Sequence, residues 1–134
     1  MTAALYGCET WNCRANDLSH LESKQFWYLR RIFGYSWEMR KSFADLIHEC
    51  RSIGVNMLPI GALVHRARLV FFGHINRMED SRYPKIILNA ECVKGKKLSG
   101  GQEVTYKRCL LGDFEAFNIN NDFNKWSKST LDRT

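Results

Sequence analysis

The chain has 134 residues and a formal net charge of +6, with 45% hydrophobic and 13% aromatic residues. This composition excludes a disordered tail and fits one globular domain. The charge favours a polyanionic partner, with nucleic acid the first expectation and an acidic membrane surface the second. No apolar run approaches the roughly 20 residues of a membrane span, and the first residues lack the basic-then-apolar order of a secretion signal. We therefore expect a soluble, intracellular protein with no membrane partner.

The first part of the chain follows a helical period of hydrophobic residues. Asn16 or Asp17 is expected to cap a first helix, which ends at Gly34. The predicted apolar stripe of this helix is Leu18, Leu21, Tyr28, Leu29, Ile32 and Phe33. Ser42 is the expected cap of a second, shorter helix that ends at Gly54. The stripe of this second helix is Phe43, Leu46, Ile47 and Cys50.

A third helix is predicted from Pro59, because proline suits the first helical turn. Its apolar positions are Ile60, Leu63, Val64, Ala67, Phe71, His74, Ile75 and Met78, widened by Leu69, Val70 and Phe72. Pro84 interrupts this pattern, and residues 86–88 fit one or two further turns. Residues 94–103 are rich in glycine and lysine, which is typical of a linker. After it, the helical step returns at Tyr106, Leu110, Phe114 and Phe117, with a last weak helix around Trp126.

These elements predict an all-α fold, since no strand alternation is visible. We expect a small helical bundle of about five helices, with a basic Gly/Lys loop before a C-terminal helical pair. Within this single domain, the main bundle would cover 1–93, the linker 94–103 and the C-terminal helical segment 104–134.

Three groups of basic residues are candidates for phosphate contact, because arginine offers a planar fork to phosphate oxygens and lysine a mobile charge. A charged face on one helix is more often only solvated, so the group on the first helix, which includes Lys24, is weaker evidence alone. The loop group is stronger, since Gly95, Gly100 and Gly101 let the backbone approach a ligand closely. The predicted nucleic-acid-binding residues are Arg30 and Arg31 in the group on the first helix; Arg66, Arg68 and Arg77 in the group on the third helix; and Arg82, Lys85, Lys94, Lys96, Lys97, Lys107 and Arg108 in the loop group.

Aromatic residues near these cations are candidates for stacking unpaired bases, although most aromatics at helical spacing belong to the core. Trp37 and Tyr83 are the better candidates because they lie in or beside predicted loops. The others are Trp27, Tyr28, Tyr35 and Tyr106. His74 is predicted to be a structural histidine, hydrogen-bonded inside the bundle. A lone histidine without a poised carboxylate or cysteine partner makes no catalytic case, and His20, His48 and His65 offer no clearer one.

The five cysteines are an odd and scattered set, which argues against a closed disulfide framework. They are Cys8, Cys13, Cys50, Cys92 and Cys109. A zinc site built on Cys8, Cys13 and His20 would need a fourth ligand. The spacing fits no common zinc knuckle, and no second close pair of ligands follows. We therefore expect reduced thiols, no metal and no other cofactor.

A series of short motifs runs along the chain. Residues 5–11 read LYGCETW, 29–34 read LRRIFG, 72–78 read FGHINRM, 80–85 read DSRYPK, and 100–102 read GGQ, followed by YKR at 106–108. In order and spacing, over nearly the whole chain, this series resembles the C-terminal stretch of the reverse transcriptase polyprotein of non-LTR (LINE-type) retrotransposons. The corresponding blocks of that family read LYGCETW, LRRILG, GHVLRM, DSRLPK and GGQ.

The resemblance begins downstream of both the endonuclease and the polymerase palm, so it implies a chain that lacks both catalytic centres. A polymerase needs carboxylates that hold two metal ions about 4 Å apart, and the family supplies them partly through an aromatic-x-Asp-Asp turn. The sequence contains no Asp-Asp pair. The nearest acidic pair is Glu79 and Asp80, which is expected at a helix end or a surface turn. We therefore predict no catalytic residues, although the parent polyprotein would be an RNA-directed DNA polymerase with an endonuclease.

The predicted function is a non-catalytic nucleic-acid-binding fragment, similar to the region that follows the thumb of a LINE-type reverse transcriptase. Its partner would be the phosphate backbone of RNA or DNA. The alternative is a structural or protein-interaction remnant of a retrotransposon with no nucleic-acid role. The resemblance also implies a nuclear or cytoplasmic location. It further implies truncated ends, which would leave Tyr6, Trp11 and Trp126 exposed and promote self-association through apolar helix faces.

Overall fold

The computed structural model describes residues 3–89 and 106–119, and these residues form an all-α protein. A short 3-10 helix at Cys8–Thr10 is followed by five α-helices. They are α1 (Ala15–Ile32), α2 (Phe43–Ser52), α3 (Ile60–Asn76), α4 (Tyr83–Asn89) and α5 (Tyr106–Ala116). No strand occurs in these two ranges. The predicted fold class is therefore confirmed.

The described residues group into two compact units. One consists of residues 13–64, which we call the 13–64 unit. The other, which we call the split unit, combines 3–12, 65–89 and 106–119. The predicted linker at 94–103 and the weak helix around Trp126 lie outside the described residues. The predicted subdivision of the chain at that linker therefore stays a prediction.

Two glycines end helices in the 13–64 unit in the same way. Gly34 has a φ angle of 72° and Gly54 one of 83°, in the left-handed region that glycine adopts without strain. At the end of α1, the Tyr35 amide donates to the Arg30 carbonyl at 2.9 Å and the Gly34 amide to the Arg31 carbonyl at 3.3 Å. The same pair of bonds recurs around Gly54 at the end of α2. Both ends are Schellman motifs, so the predicted helix ends are confirmed.

The start of α2 is closed by a capping box, and the start of α1 by the carboxylate half of one. The Asp45 amide donates to the Ser42 hydroxyl at 3.2 Å, and the Ser42 amide donates to the Asp45 carboxylate at 2.9 Å, which confirms Ser42 as a cap. The cap of α1 was predicted two or three residues too late. Its N-cap residue is Arg14, and Asp17 lies inside the first turn, where its carboxylate accepts the Arg14 amide.

The core of the 13–64 unit forms where α1 meets α2. Leu29, Leu46 and Cys50 are buried together. The partly buried residues around them are Phe26, Phe33, Tyr35, Phe43 and Met57. The predicted stripe of α2 is confirmed, but the stripe of α1 was partly wrong. Tyr28 and Ile32 are exposed, and Gln25 takes a buried position instead.

The core of the split unit packs α3 against α5. Phe72, Leu110 and Phe114 are buried, and the Phe72 and Phe114 rings meet edge to face with centroids 5.7 Å apart. This confirms the predicted inward positions of α5 except Phe117, which is exposed. The inner face of α3 also carries Arg68, which the apolar pattern did not include. The short helix α4 confirms the turns predicted at 86–88.

Candidate nucleic-acid interface

The first candidate surface lies on α1, away from the buried face of that helix. Leu18, Gln25 and Leu29 form the buried face. Residues three and four positions apart share a face of a helix. Four exposed residues with that spacing lie on another side of α1: Lys24, Trp27, Tyr28 and Arg31. We call these four residues the basic–aromatic stripe.

The aromatic and cationic groups of this stripe contact one another. The ring centroids of Trp27 and Tyr28 are 5.0 Å apart, with an interplanar angle of 77°. The Arg31 guanidinium carbon lies 5.2 Å from the centre of the Trp27 ring, within the range of a cation–π interaction. Trp27 is 50% exposed and Tyr28 59%, so both rings keep surface for a planar ligand. Cations beside exposed rings are the groups that hold single-stranded nucleic acid in known sites.

The carboxylates of α1 are occupied by backbone amides. Asp17 accepts the Arg14 amide at 2.9 Å, and Glu22 accepts the Gly61 amide at 3.2 Å. In the described part of the chain, no ion pair joins Lys24 or Arg31 to a carboxylate. The positive charge of the stripe is therefore not neutralised from within.

Arg30, a predicted phosphate contact, is engaged with the backbone that follows α1. Its guanidinium donates to the carbonyls of Ser36 and Met39, the second at 2.8 Å, and to the carbonyl of Lys41 at 3.5 Å. It also lies 5.4 Å from the centre of the Phe26 ring. Through these contacts Arg30 holds the segment between α1 and α2 in place. Its guanidinium is therefore used within the fold and is a weaker candidate for phosphate contact than Arg31.

Arg68 was also predicted to contact phosphate, but it lies in the core of the split unit. Its side chain is 2% exposed, and it donates to Asp113, which is 1% exposed, at 2.7 Å. A second guanidinium nitrogen donates to the Trp11 carbonyl at 3.3 Å. An unpaired charge would be very unfavourable at such a depth, so loss of either side chain would destabilise the fold. Because it is buried, Arg68 cannot reach a phosphate on the surface.

His65 completes this buried cluster. Its Nδ1 atom lies 2.5 Å from the Asp113 oxygen that also accepts from Arg68. The same Nδ1 atom lies 3.0 Å from a guanidinium nitrogen of Arg68, so the three side chains form one contact cluster. A histidine oriented by a carboxylate was not predicted. The available signal was that Arg68 and Asp113, of opposite charge, each interrupt the apolar face of a helix.

The remaining predicted cations differ in their surroundings. Lys85 pairs with Asp80 at 2.7 Å and donates to the Met78 carbonyl at 2.9 Å. The hydrogen bond from Lys85 lowers the pKa of Asp80 below its usual value. Asp80 and Glu79 are exposed in a turn, as predicted.

The exposed cations of the split unit are Arg66, Arg77, Arg82, Lys107 and Arg108. Three further candidates lie outside the described residues: Lys94, Lys96 and Lys97.

A cavity of about 670 Å³ in the split unit brings together two residues that the sequence singled out separately. Tyr83, a predicted stacking residue, and Lys107, a predicted phosphate contact, both line it. Its apolar walls are Phe71, Ile75, Pro84, Ile87 and Leu88. The sequence contained no signal for this cavity, because its walls come from segments that are distant along the chain.

Two single-residue predictions have different outcomes. His74 is exposed, so the prediction that it is hydrogen-bonded inside the bundle was wrong. The spacing along α3 fitted an inward position, but the inner face turns through Arg68, Phe72 and Ile75 instead. Trp37 is 84% exposed in a turn, which leaves its ring open to a ligand, as the stacking prediction requires.

Burial favours the neutral forms of one tyrosine and two cysteines of the split unit. Burial raises the pKa of Tyr106 to about 12 and also raises the pKa of the Cys8 and Cys109 thiols. Protonated thiols are poor nucleophiles and poor metal ligands. No disulfide links the four cysteines in the described ranges, and no group of three or more His, Cys, Asp or Glu residues there is placed to hold a metal ion.

No protein-family model matches the chain, and no curated protein and no solved structure matches it either. Within residues 3–89 and 106–119, no helix is long and apolar enough to cross a membrane.

Proposed function

We propose that the chain is a non-catalytic nucleic-acid-binding module that contacts phosphates with exposed cations and unpaired bases with exposed aromatic rings. The observation that carries the proposal is the basic–aromatic stripe of α1, where Lys24 and Arg31 flank two half-exposed rings. The net charge of +6 supports it, because a basic chain attracts a polyanion at long range.

The motif series adds a specific setting to this proposal. The chain resembles the region that follows the thumb of a LINE-type reverse transcriptase, so its role would be to help hold template RNA or target DNA against the polymerase. The catalytic centres would belong to other parts of the parent polyprotein. Binding without chemistry is then the expected activity of this segment.

The test is fluorescence-anisotropy titration of the chain with labelled RNA, single-stranded DNA and duplex DNA across a salt series. Each phosphate contact contributes a slope of about 0.9 in log affinity against log salt for a duplex, and about 0.7 for a single strand. The double variant Lys24→Ala, Arg31→Ala should weaken binding and reduce the single-strand slope by about 1.4. Circular dichroism of each variant confirms that the helices are retained.

A matched control in the same unit is Arg40→Ala, Arg51→Ala, which removes two exposed cations outside the stripe. We expect this control to change the slope much less than the stripe variant. Equal effects of the two double variants would show that net charge, and not the stripe, determines binding. A folded chain that ignores all three nucleic acids at low salt would refute the proposed function.

The loop group is tested separately, because three of its members lie outside the described residues. Changing Lys94, Lys96, Lys97, Lys107 and Arg108 to alanine should lower both affinity and salt slope if the loop contacts phosphate. If both quantities stay unchanged, the phosphate contacts are confined to other surfaces such as the stripe.

Exposed aliphatic side chains favour a second candidate, a protein-interaction role. Ile32, Ile87 and Ile53 are 77%, 72% and 65% exposed. Aliphatic surface of this kind is covered when proteins associate. Sedimentation velocity at low and high salt distinguishes this role, because association through apolar faces persists in salt and phosphate binding does not. A chain that stays monomeric at all salt concentrations would count against self-association.

A further inference from the structure

We infer that the basic–aromatic stripe recognises one unpaired nucleotide at a time, so that a duplex with a single extrahelical base is a sufficient ligand. This inference rests on the proposed function and deepens it, because it names the form of nucleic acid that the stripe selects. It depends on the angle between the two rings, on which ring is open, and on how far the positive charge extends along α1.

The two rings of the stripe cannot receive two neighbouring bases. Neighbouring bases that stay stacked lie parallel to each other, about 3.4 Å apart along a strand. The planes of Trp27 and Tyr28 instead meet at 77°, with their centroids 5.0 Å apart. A base that is parallel to one ring therefore lies steeply inclined to the other, as in the edge-to-face arrangement of aromatic pairs. The pair forms a corner for one base, and only a base that has left its own stack can enter it.

Tyr28 is the ring that is open for stacking. The Arg31 guanidinium lies over the Trp27 ring, 5.2 Å from its centre, and so occupies a face of that ring. No cation lies over the Tyr28 ring in the described part of the chain. Tyr28 is also the more exposed of the two, at 59% against 50%. Tyr28 therefore supplies the stacking face, and Trp27 is a positioning residue that holds Arg31 beside the base.

The positive charge of the stripe has room for about two phosphates. Lys24 and Arg31 are seven residues apart, which is about 10 Å along the helix axis at about 1.5 Å per residue. Seven residues further towards the N-terminus, the same side of α1 carries Asp17, whose carboxylate repels a phosphate. At the other end, α1 stops at Ile32. These limits fit one nucleotide with its flanking phosphates and do not fit a long single-stranded tract.

The chemistry of the stripe matches both parts of a nucleotide. Lys24 and Arg31 attract anions, and the open Tyr28 face attracts a flat aromatic group. A run of carboxylates in an acidic peptide would supply the charge but no ring to stack on Tyr28. A paired base in a duplex would supply a ring whose faces are already covered by its neighbours. An extrahelical base meets both requirements.

The first experiment measures the affinity of the full chain for one duplex in several forms: fully paired, with a single adenosine bulge, with an abasic bulge, and with a three-adenosine bulge. The single adenosine bulge should bind roughly 5- to 150-fold more tightly than the abasic bulge, as expected when one base stacks on an aromatic ring. The longer bulge should gain only the statistical advantage of having more equivalent bases. A large further gain with each added base would overturn the one-base corner.

Variants of the stacking ring locate the base. Tyr28→Ala should abolish the advantage of the adenosine bulge over the abasic bulge but keep the salt slope, because the cations remain. Tyr28→Phe should keep the advantage, since stacking uses the ring and not the hydroxyl. The matched control is Ile32→Ala, which removes an exposed apolar side chain one turn further along α1 and should also keep the advantage.

The outcomes separate this inference from the proposed function. If Tyr28→Ala keeps the advantage while binding stays salt-dependent, the base lies elsewhere, so the corner is refuted and the proposed function stands. Equal affinity of the unchanged chain for the adenosine and abasic bulges has the same meaning. A folded chain that binds none of the duplex forms and no single strand at low salt refutes both.

A second experiment reads the contact directly from the ring-proton NMR signals of Tyr28, which are assigned by their absence in Tyr28→Phe. A base that stacks on the ring shifts these signals upfield. The adenosine bulge should therefore shift them, and the abasic bulge should not. A base-dependent shift at Tyr83 in place of Tyr28 would overturn the inference and assign the unpaired base to the split unit.

Discussion

The two units of the chain bury their polar groups by different chemistry. In the 13–64 unit, the amide of Gln25 donates to the Leu58 carbonyl and accepts the Ile60 amide, both at 2.9 Å. In the split unit, Arg68 and Asp113 form a charged pair. A neutral amide that loses its role leaves two backbone groups unpaired, whereas half of a buried ion pair leaves a full charge in the core. The two units should therefore differ sharply in their response to single substitutions.

The largest effect is expected for Asp113→Ala, which leaves the Arg68 guanidinium buried without its carboxylate. Such a loss costs about 3–5 kcal/mol in the free energy of unfolding, as measured by urea denaturation. The double variant Arg68→Met, Asp113→Leu should recover most of that loss, because it removes both charges and keeps apolar volume.

The control for this prediction is Asp80→Ala, which breaks an ion pair whose carboxylate is 95% exposed. Water already solvates that charge, so we expect little change in stability. If Asp113→Ala were no more damaging than Asp80→Ala, the buried pair would not support the split unit and the contrast between the units would disappear.

A smaller effect is expected for Gln25→Met in the other unit. Methionine keeps the volume but leaves the Leu58 carbonyl and the Ile60 amide without partners, at a cost of about 1–3 kcal/mol. The control is Lys24→Met, which introduces methionine at the adjacent position, where the side chain is exposed to solvent. In urea denaturation, the Gln25 variant should be clearly the less stable of the two. Similar midpoints would mean that the amide contributes nothing beyond its volume.

The smallest effect on stability is expected at Glu49, and it depends on pH. Glu49 accepts from Lys41 at 2.5 Å and from the Tyr35 hydroxyl at 2.6 Å, and these bonds hold its pKa below the usual value. A lowered pKa means that the bonds stabilise the fold above the ordinary pKa of glutamate, about 4.5, and cease to do so as the pH falls through the folded value. Glu49→Gln should therefore be slightly less stable than the unchanged chain at pH 7, and the difference should shrink towards pH 3.

The control for the acid limb is Glu38→Gln, at an exposed glutamate of the same unit that makes no hydrogen bond within the described ranges. Its stability should follow that of the unchanged chain at every pH. A pH-independent difference for Glu49→Gln would show that its carboxylate charge has no part in the effect.

Local rules explain why the helices were predictable. Ser42, Gly34 and Gly54 act through the backbone of their own neighbours, so their roles follow from sequence alone. The start of α1 was missed because Arg14 is an unusual N-cap, and the bond from its amide to Asp17 is what closes the turn. The prediction that α3 is a helix is confirmed. Apolar residues lie on several sides of this helix, so their spacing did not determine which side faces the core.

The candidate site was less predictable, because it depends on which side chains face solvent. Arg31 and Arg68 look alike in sequence, but one lies on an exposed ring and the other in the core. The fate of Arg68 depends on Asp113, 45 positions further along the chain. The meeting of Tyr83 and Lys107 at one cavity is likewise a property of the tertiary fold. Neither follows from periodicity.

The two glycine helix ends also bear on how this chain can change during evolution. A β-carbon built at Gly34 or Gly54 would meet nothing within 4 Å, so these sites are limited by the backbone angle and not by packing. Asparagine tolerates that angle better than β-branched residues do. In a saturation library, Gly and Asn should therefore dominate at these two sites, even though ample space surrounds them. Substitutions in the core would leave this preference unchanged, so both turns should remain recognisable in the sequence.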